Sequence, residues 1–184
     1  MPAAIILAAG NSTRLGRPKQ SVMLQGETLL ERAARSAHEA GLSPVIVVLK
    51  PELDFGYATQ QLGCVIVLND KAAEGLASSI RLGINTAQLL KAEGAIILTC
   101  DQPTLTAEHL CALAAQPTII AGSGYAGKIG IPAYFPASAF EALLQLHGDT
   151  GARDLLRNAR VVPNESLALD IDTEADLARA QALF

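Results

Sequence analysis

The sequence predicts an α/β sandwich with a largely parallel sheet. Two observations point there. Short apolar runs of strand length recur at Ala3 to Ala8, Val45 to Leu49, Cys64 to Leu68 and Ala95 to Cys100. Capped segments of helical length separate them, and strands that alternate with helices build parallel sheets. No repeat, low-complexity stretch or linker interrupts the pattern, so residues 1–184 read as one domain with room for a substantial core.

The elements follow in order. Ala3 to Ala8 is continuously apolar, as a strand buried on both faces must be. It opens into a loop carrying Gly10, Ser12, Thr13 and Gly16, punctuated by Pro18. Such a loop exposes backbone N–H groups and permits positive φ at glycine, so anionic oxygens can approach closely. Arg14, Arg17 and Lys19 add fixed cations. Backbone donors plus cations at a strand end are what a nucleoside triphosphate needs. Two better-known phosphate loops are excluded. Gly10 and Gly16 stand one residue too far apart for the Walker pattern and are followed by Arg17-Pro18; no second glycine follows Gly10 where the dinucleotide fingerprint needs one.

Thr28-Leu29-Leu30-Glu31 has capping-box spacing and predicts a helix to about Ala40, ended by Gly41. Pro44 opens the second strand, Glu52 to Gln61 reads as a short helix, and Cys64 to Leu68 as the third strand. Ser78 and Ser79 then fall near the start of a helix reaching Leu90, where spare N–H groups and hydroxyls serve either as a simple cap or as ligand donors. The strand from Ala95 to Cys100 ends in Asp101-Gln102-Pro103. A carboxylate there is either a turn residue or a group aimed into the crevice where α/β sheets bind ligands. Thr106 to Ala115 reads as a helix, Thr118 to Gly122 and Leu167 to Ile171 as strands, and Thr173 as the cap of a last helix to Phe184.

Composition narrows the classes. Charged residues make up only 17% of the chain, below the usual quarter, which suggests a well-covered sheet or an apolar surface that meets a partner. A net charge of −4 argues against nucleic acid as partner. No apolar run approaches the ~20 residues of a membrane helix. The first apolar run lacks a preceding basic region, so it reads as a strand rather than a signal peptide. Cys64, Cys100 and Cys111 form no C-x-x-C pair and read as reduced thiols of a cytoplasmic protein. His38, His109 and His147 show no ligand spacing, which sets zinc aside.

The first loop carries more. Leu7, Ala8, Ala9, Gly10, Ser12, Arg14, Gly16 and Lys19 match L-A-A-G-x-S-x-R-x-G-x-x-K, which resembles the signature of the MobA-like nucleotidyltransferases. The resemblance implies a three-layer α/β sandwich with a mostly parallel, mixed sheet, like that of the nucleotide-diphospho-sugar transferases. It also makes Arg14 and Lys19 triphosphate contacts. Asn69, Glu74, Gly75, Ser78 and Ser79 resemble the family's base-pocket segment, with Ala72 where a tryptophan usually stands. Asp101 matches the D-x-P metal motif, and Asp172 in Asp170-Ile171-Asp172-Thr173 matches the second metal carboxylate. Asp170 competes for that role, because alternate strand residues share a face. Gly130, Pro132 and Phe135 match an acceptor-side segment in which Ile131 replaces histidine and Ala133 replaces valine. Gly148-Asp149-Thr150-Gly151-Ala152-Arg153 resembles G-D-x-G-A-R, which aims Arg153 at the acceptor or pyrophosphate; alternatively Asp149 pairs with Arg153 to brace the turn.

The resemblance thus implies a catalytic set of Arg14, Lys19 and Asp101, with Mg²⁺ on Asp101 and Asp172. The expected reaction moves CMP from CTP to the terminal phosphate of the molybdenum–molybdopterin cofactor and releases pyrophosphate, with a molybdoenzyme as a candidate partner. The L-A-A-G form, rather than L-A-G-G, favours cytidine by resemblance. Three alternatives stay open: the same transfer with GTP, transfer to a polyol or sugar phosphate, or a non-catalytic cofactor-delivery protein.

Overall fold

The structure, a computed structural model, describes residues 1–10, 14–53, 63–149 and 151–184. Its strands are β1 (Ala3–Leu7), β2 (Met23–Leu24), β3 (Glu27–Thr28), β4 (Val45–Leu49), β5 (Val65–Leu68), β6 (Gly94–Thr99), β7 (Ala121–Tyr125), β8 (Lys128–Pro136) and β9 (Arg160–Pro163). Its helices are α1 (Leu29–Glu39), α2 (Leu76–Leu89), α3 (Ala107–Ala114), α4 (Phe140–Leu144) and α5 (Glu174–Gln181). Strands β2 and β3 pair with each other; the rest form one sheet in the order β5-β4-β1-β6-β8-β7-β9. β5, β4, β1 and β6 run parallel, β8 is antiparallel to both β6 and β7, and β9 is parallel to β7.

The apolar runs are explained by burial on both sheet faces. Ala4 and Ile6 of β1 join a cluster with Leu29, Leu30, Leu110 and Leu177, from α1, α3 and α5. Ala3, Ile5 and Leu7 join the opposite cluster with Ile80, Ile84, Phe140 and Leu143, from α2 and α4. Alternate residues point to opposite faces, so only a strand covered twice can be apolar throughout. Three layers result, with helices on both sides of a mostly parallel, mixed sheet.

Helix starts follow the capping chemistry. Thr28 Oγ1 accepts from the Glu31 N–H at 3.1 Å, and a Glu31 carboxylate oxygen accepts from the Thr28 N–H at 2.7 Å. Thr173 and Asp176 form the same reciprocal pair at α5. α2 is different, because its cap residue Gly75 has no side chain. The Leu76 N–H donates instead to Asp149 Oδ1 at 3.1 Å, and the Ala77 N–H to the Gly148 carbonyl at 3.0 Å. Gly75 itself has φ +105°, and a Cβ there would stand 2.6 Å from Asp149 Oδ1 and 2.7 Å from the Gly148 carbonyl carbon. Both conformation and space demand glycine.

Three expectations need revision. The strand placed at Thr118 to Gly122 lies at Ala121–Tyr125, because ladder pairing with β8 begins only at Ala121 opposite Tyr134. Its continuation was not foreseen: Ala126 (φ 48°) and Gly127 (φ 69°) turn the chain back into β8 as a two-residue hairpin. The strand placed at Leu167 to Ile171 is a 3-10 turn over Glu165–Ala168 followed by an extended connector. Leu167 and Ile171 are fully buried there, so the apolar spacing is real; the Ile171 N–H reaches only the Asp101 carbonyl, at 2.8 Å. The last helix stops at Gln181. The short helix expected at Glu52 to Gln61 lies mostly outside the described residues.

Gly83 tests the packing of α2 on the sheet. In an exposed helix, Gly→Ala gains about 1 kcal/mol. Here the added Cβ would collide with Cγ2 of Ile5, a fully buried side chain in the middle of β1. Overpacking of this kind costs about 1–3 kcal/mol. Gly83→Ala is therefore expected to lower the unfolding free energy by about 1–2 kcal/mol in a denaturant titration, and a stabilised variant would contradict the packing described.

Candidate active site

β1 lies between β4 and β6, and the chain runs outward through β4 and β5 before returning to β6 on the other side of β1. In open α/β sheets ligands bind at such a reversal, beyond the carboxyl ends of the strands. Leu7 and Thr99, the last residues of β1 and β6, are register partners there, and a cleft of about 380 Å³ opens just beyond them. Leu7, Ala8, Ala9 and Gly10 line it with backbone and small side chains.

Lys19, Asp101 and Asp172 meet at the floor of this cleft. Lys19 Nζ donates to Asp101 Oδ2 at 3.0 Å and to Asp172 Oδ1. Arg14 reaches the other oxygen, Asp172 Oδ2, at 2.6 Å from an exposed position. Burial alone would lower the pKa of the Lys19 ammonium, but Asp101 and Asp172 outweigh it and the net shift is upward. Lys19 is thus a permanent cation here. Arg17 points away to an exposed ion pair with Glu174 at 2.8 Å.

Each charged group is fixed from behind. Thr99 Oγ1 donates to Asp101 Oδ1 at 2.5 Å, leaving Oδ2 to face Lys19. Asp172 is held through its backbone: its N–H donates to Asp176 at 3.2 Å, and the same carboxylate oxygen accepts from the Thr173 N–H at 2.8 Å and hydroxyl at 2.7 Å. Those bonds and Arg179 hold the Asp176 carboxyl far below the usual carboxylate range. Gln20 sits beside Lys19, almost wholly buried, and its amide donates to the Ala8 carbonyl. It ties the Lys19 turn to the end of β1.

The opposite wall comes from Ala72, Gly75, Leu76, Ser79 and Asp149. Asn69 Nδ2 donates to Ser78 Oγ and Ser79 Oγ, each at 2.9 Å. The Ser78 hydroxyl donates to the Gly75 carbonyl at 2.8 Å, and Ser78 is not part of the cleft lining. Ser79 lines the cleft, and its oxygen accepts from Asn69. The expectation of spare N–H groups at this helix start is corrected, because Asp149 and Gly148 take those of Leu76 and Ala77.

The structure therefore brings together Leu7, Ala8, Ala9, Gly10, Arg14, Lys19, Gly75, Ser79, Asp101 and Asp172. Ser12 lies outside the described residues. Gly130 and Pro132 sit on β8 and do not line the cleft: Tyr125 donates to the Ile131 carbonyl at 2.9 Å and Ser123 to the Pro132 carbonyl at 2.6 Å, fixing that strand within the hairpin. Arg153 is exposed at the start of a 3-10 turn, and its suggested brace, Asp149, is engaged with α2 instead. Thr99, Gln20 and Leu76 were not read as site residues. A threonine or glutamine beside an acidic or basic motif carries no pattern of its own.

Two carboxylates converging on one cation suit a hard divalent ion, since Mg²⁺ takes one or two carboxylates and completes its shell with water and substrate phosphates. No cluster of three His, Cys, Asp or Glu that could cage a metal occurs among the described residues, so substrate oxygens would have to finish the shell. Asp172, not Asp170, stands in the cleft. Burial, and then Asp101, push the Asp170 carboxyl up to about 6, against the pull of Lys128. Cys100 lines the cleft as well, but burial and Asp101 push its thiol up to about 12, which makes it a poor nucleophile.

Comparisons with known proteins identify the family. Residues 4–164 match the MobA-like NTP transferase domain. The chain is similar to the purine catabolism protein PucB of Bacillus subtilis, 33% identical over 95% of this chain and 94% of that one. A second relative is a "Probable molybdenum cofactor guanylyltransferase" of Opitutus terrae, 30% identical over 57% of this chain and 50% of its own. Among solved structures, Rv0371c of Mycobacterium tuberculosis superposes with a TM-score of 0.81 over 99% of both chains at 27% identity, and has also been solved in complex with manganese. With a domain match over most of its length, the chain belongs to the MobA-like NTP transferase family and is a nucleotidyltransferase.

Proposed function

We propose that the protein is a Mg²⁺-dependent cytidylyltransferase that moves CMP from CTP to the terminal phosphate of the molybdenum–molybdopterin cofactor. The observation that carries this reading is the convergence of Lys19 and Arg14 with Asp101 and Asp172 in the cleft beyond the end of β1. The acceptor phosphate oxygen forms a bond to the α-phosphorus while the bond to the bridging oxygen breaks, and that electron pair leaves with pyrophosphate. Both reactants are anionic, so the barrier is dominated by charge and alignment, with no need for a protein nucleophile. Asp101 and Asp172 would hold Mg²⁺, which polarises the α-phosphate and neutralises charge on the triphosphate. Lys19 and Arg14 stabilise the charge that builds on the leaving pyrophosphate. The backbone of Ala9 and Gly10 supplies donors to phosphate oxygens.

On the base side, Ser79 offers a hydroxyl donor beside the small residues Ala72 and Gly75, which suits the carbonyl-bearing edge of cytosine. Guanine carries a carbonyl too, and the Opitutus relative supports GTP as the second reading. A melting screen with the four nucleoside triphosphates and Mg²⁺ separates them. At a hundred times its Kd the preferred nucleotide adds about 2.7 kcal/mol, a Tm rise of roughly 5–10 °C for a chain of this size. CTP is expected to give the largest rise; a larger rise with GTP would transfer the assignment to guanylyl transfer.

The catalytic reading has its own test. In Asp101→Asn the Lys19–Asp172 pair remains, so the melting temperature should change little while kcat for pyrophosphate release drops by about 10²-fold or more. Normal turnover by that variant with a competent acceptor would remove Asp101 from the mechanism.

A further inference from the structure

The groups assigned to the triphosphate and the groups assigned to the metal are bound to each other in this structure. Lys19 bridges Asp101 and Asp172, and Arg14 holds the remaining oxygen of Asp172. Two carboxylates so close would repel strongly, and the two cations cancel them. A divalent ion brings the same two positive charges. We propose that Lys19 is the built-in counter-ion of the metal site: it keeps a divalent cation off Asp101 and Asp172 until a triphosphate draws the ammonium away, so that metal and nucleotide load together. This rests on the proposed metal role of the two aspartates.

The geometry fits an exchange. Thr99 fixes the Asp101 carboxylate and Asp176 fixes the backbone of Asp172, so the carboxylate pair keeps its place when its partner changes. Lysine carries a compact charge on a flexible four-carbon stem, able to swing while its backbone stays fixed after Pro18. Its side chain is 17% exposed, at the cleft floor rather than beneath it, so a phosphate entering along Ala8 to Gly10 meets it directly. Once Lys19 turns to phosphate, the carboxylate pair loses one of its two counter-charges, Arg14 staying on Asp172, and takes the metal with it. Metal and triphosphate then bind with positive coupling, each raising the affinity of the other.

Binding of Mn²⁺ alone to the full chain, followed by the loss of its free-ion electron paramagnetic resonance signal, tests the proposal without any turnover. Wild-type protein should bind weakly. Lys19→Met should bind Mn²⁺ at least about tenfold more tightly, because a unit charge has left the site. Lys19→Gln, which keeps a neutral donor for both carboxylates and so guards the fold, should show the same direction of change. Arg17→Ala, which breaks a surface pair with Glu174, should match wild type. Adding Asp172→Asn to Lys19→Met should abolish the gain. Unchanged or weaker Mn²⁺ binding in both Lys19 variants overturns the proposal, as does a gain that survives Asp172→Asn. Failure of nucleotidyl transfer with these Mn²⁺ results intact would count against the proposed reaction and not against the counter-ion.

Discussion

The contact on which this structure turns is the Lys19 ammonium held between Asp101 and Asp172. It joins the first loop, the end of β6 and the turn before α5, segments far apart in sequence. Neither carboxylate would tolerate the other at this distance without a cation, so the three residues specify one another. The surrounding bonds serve that arrangement. Thr99 orients Asp101, the Asp176 capping box orients Asp172, and Gln20 fixes the turn that presents Lys19.

The sheet explains why these groups can meet at all. β1 and β6 are adjacent and parallel, so their carboxyl ends open at the same edge, and the connector that follows β9 returns to that edge by the Ile171–Asp101 backbone bond. Burial on both faces makes this part of the sheet rigid. The chemistry sits on short segments leaving a stiff platform, which favours a reaction that depends on alignment.

What the sequence disclosed follows the range of each interaction. The β1 run and the Thr28–Glu31 box are local patterns, and the structure keeps both. Asp101 and Asp172 were found through motifs, but their shared bond to Lys19 spans 82 and 153 residues and leaves no mark in spacing. The same holds for Asp149, which caps a helix 73 residues earlier, whereas its local motif offers a brace for Arg153 only as the alternative to a loop that aims Arg153 at a ligand. Leu167 and Ile171 misled for another reason: alternation records burial of one side of an extended chain, and a connector lying on a core satisfies it as well as a paired strand does. Ser78 and Ser79 are adjacent and chemically alike; only the fold decides that one faces inward and the other the cleft.

The borrowed cap on α2 has a kinetic side. The amides of Leu76 and Ala77 are closed by the 148–149 segment, and Asp149 also forms part of the cleft wall. Any excursion that swings this wall outward uncovers the first turn of α2 at the same moment. Hydrogen exchange at those two amides therefore runs in step with the breathing of the nucleotide cleft, and a nucleotide that holds the wall in place slows it.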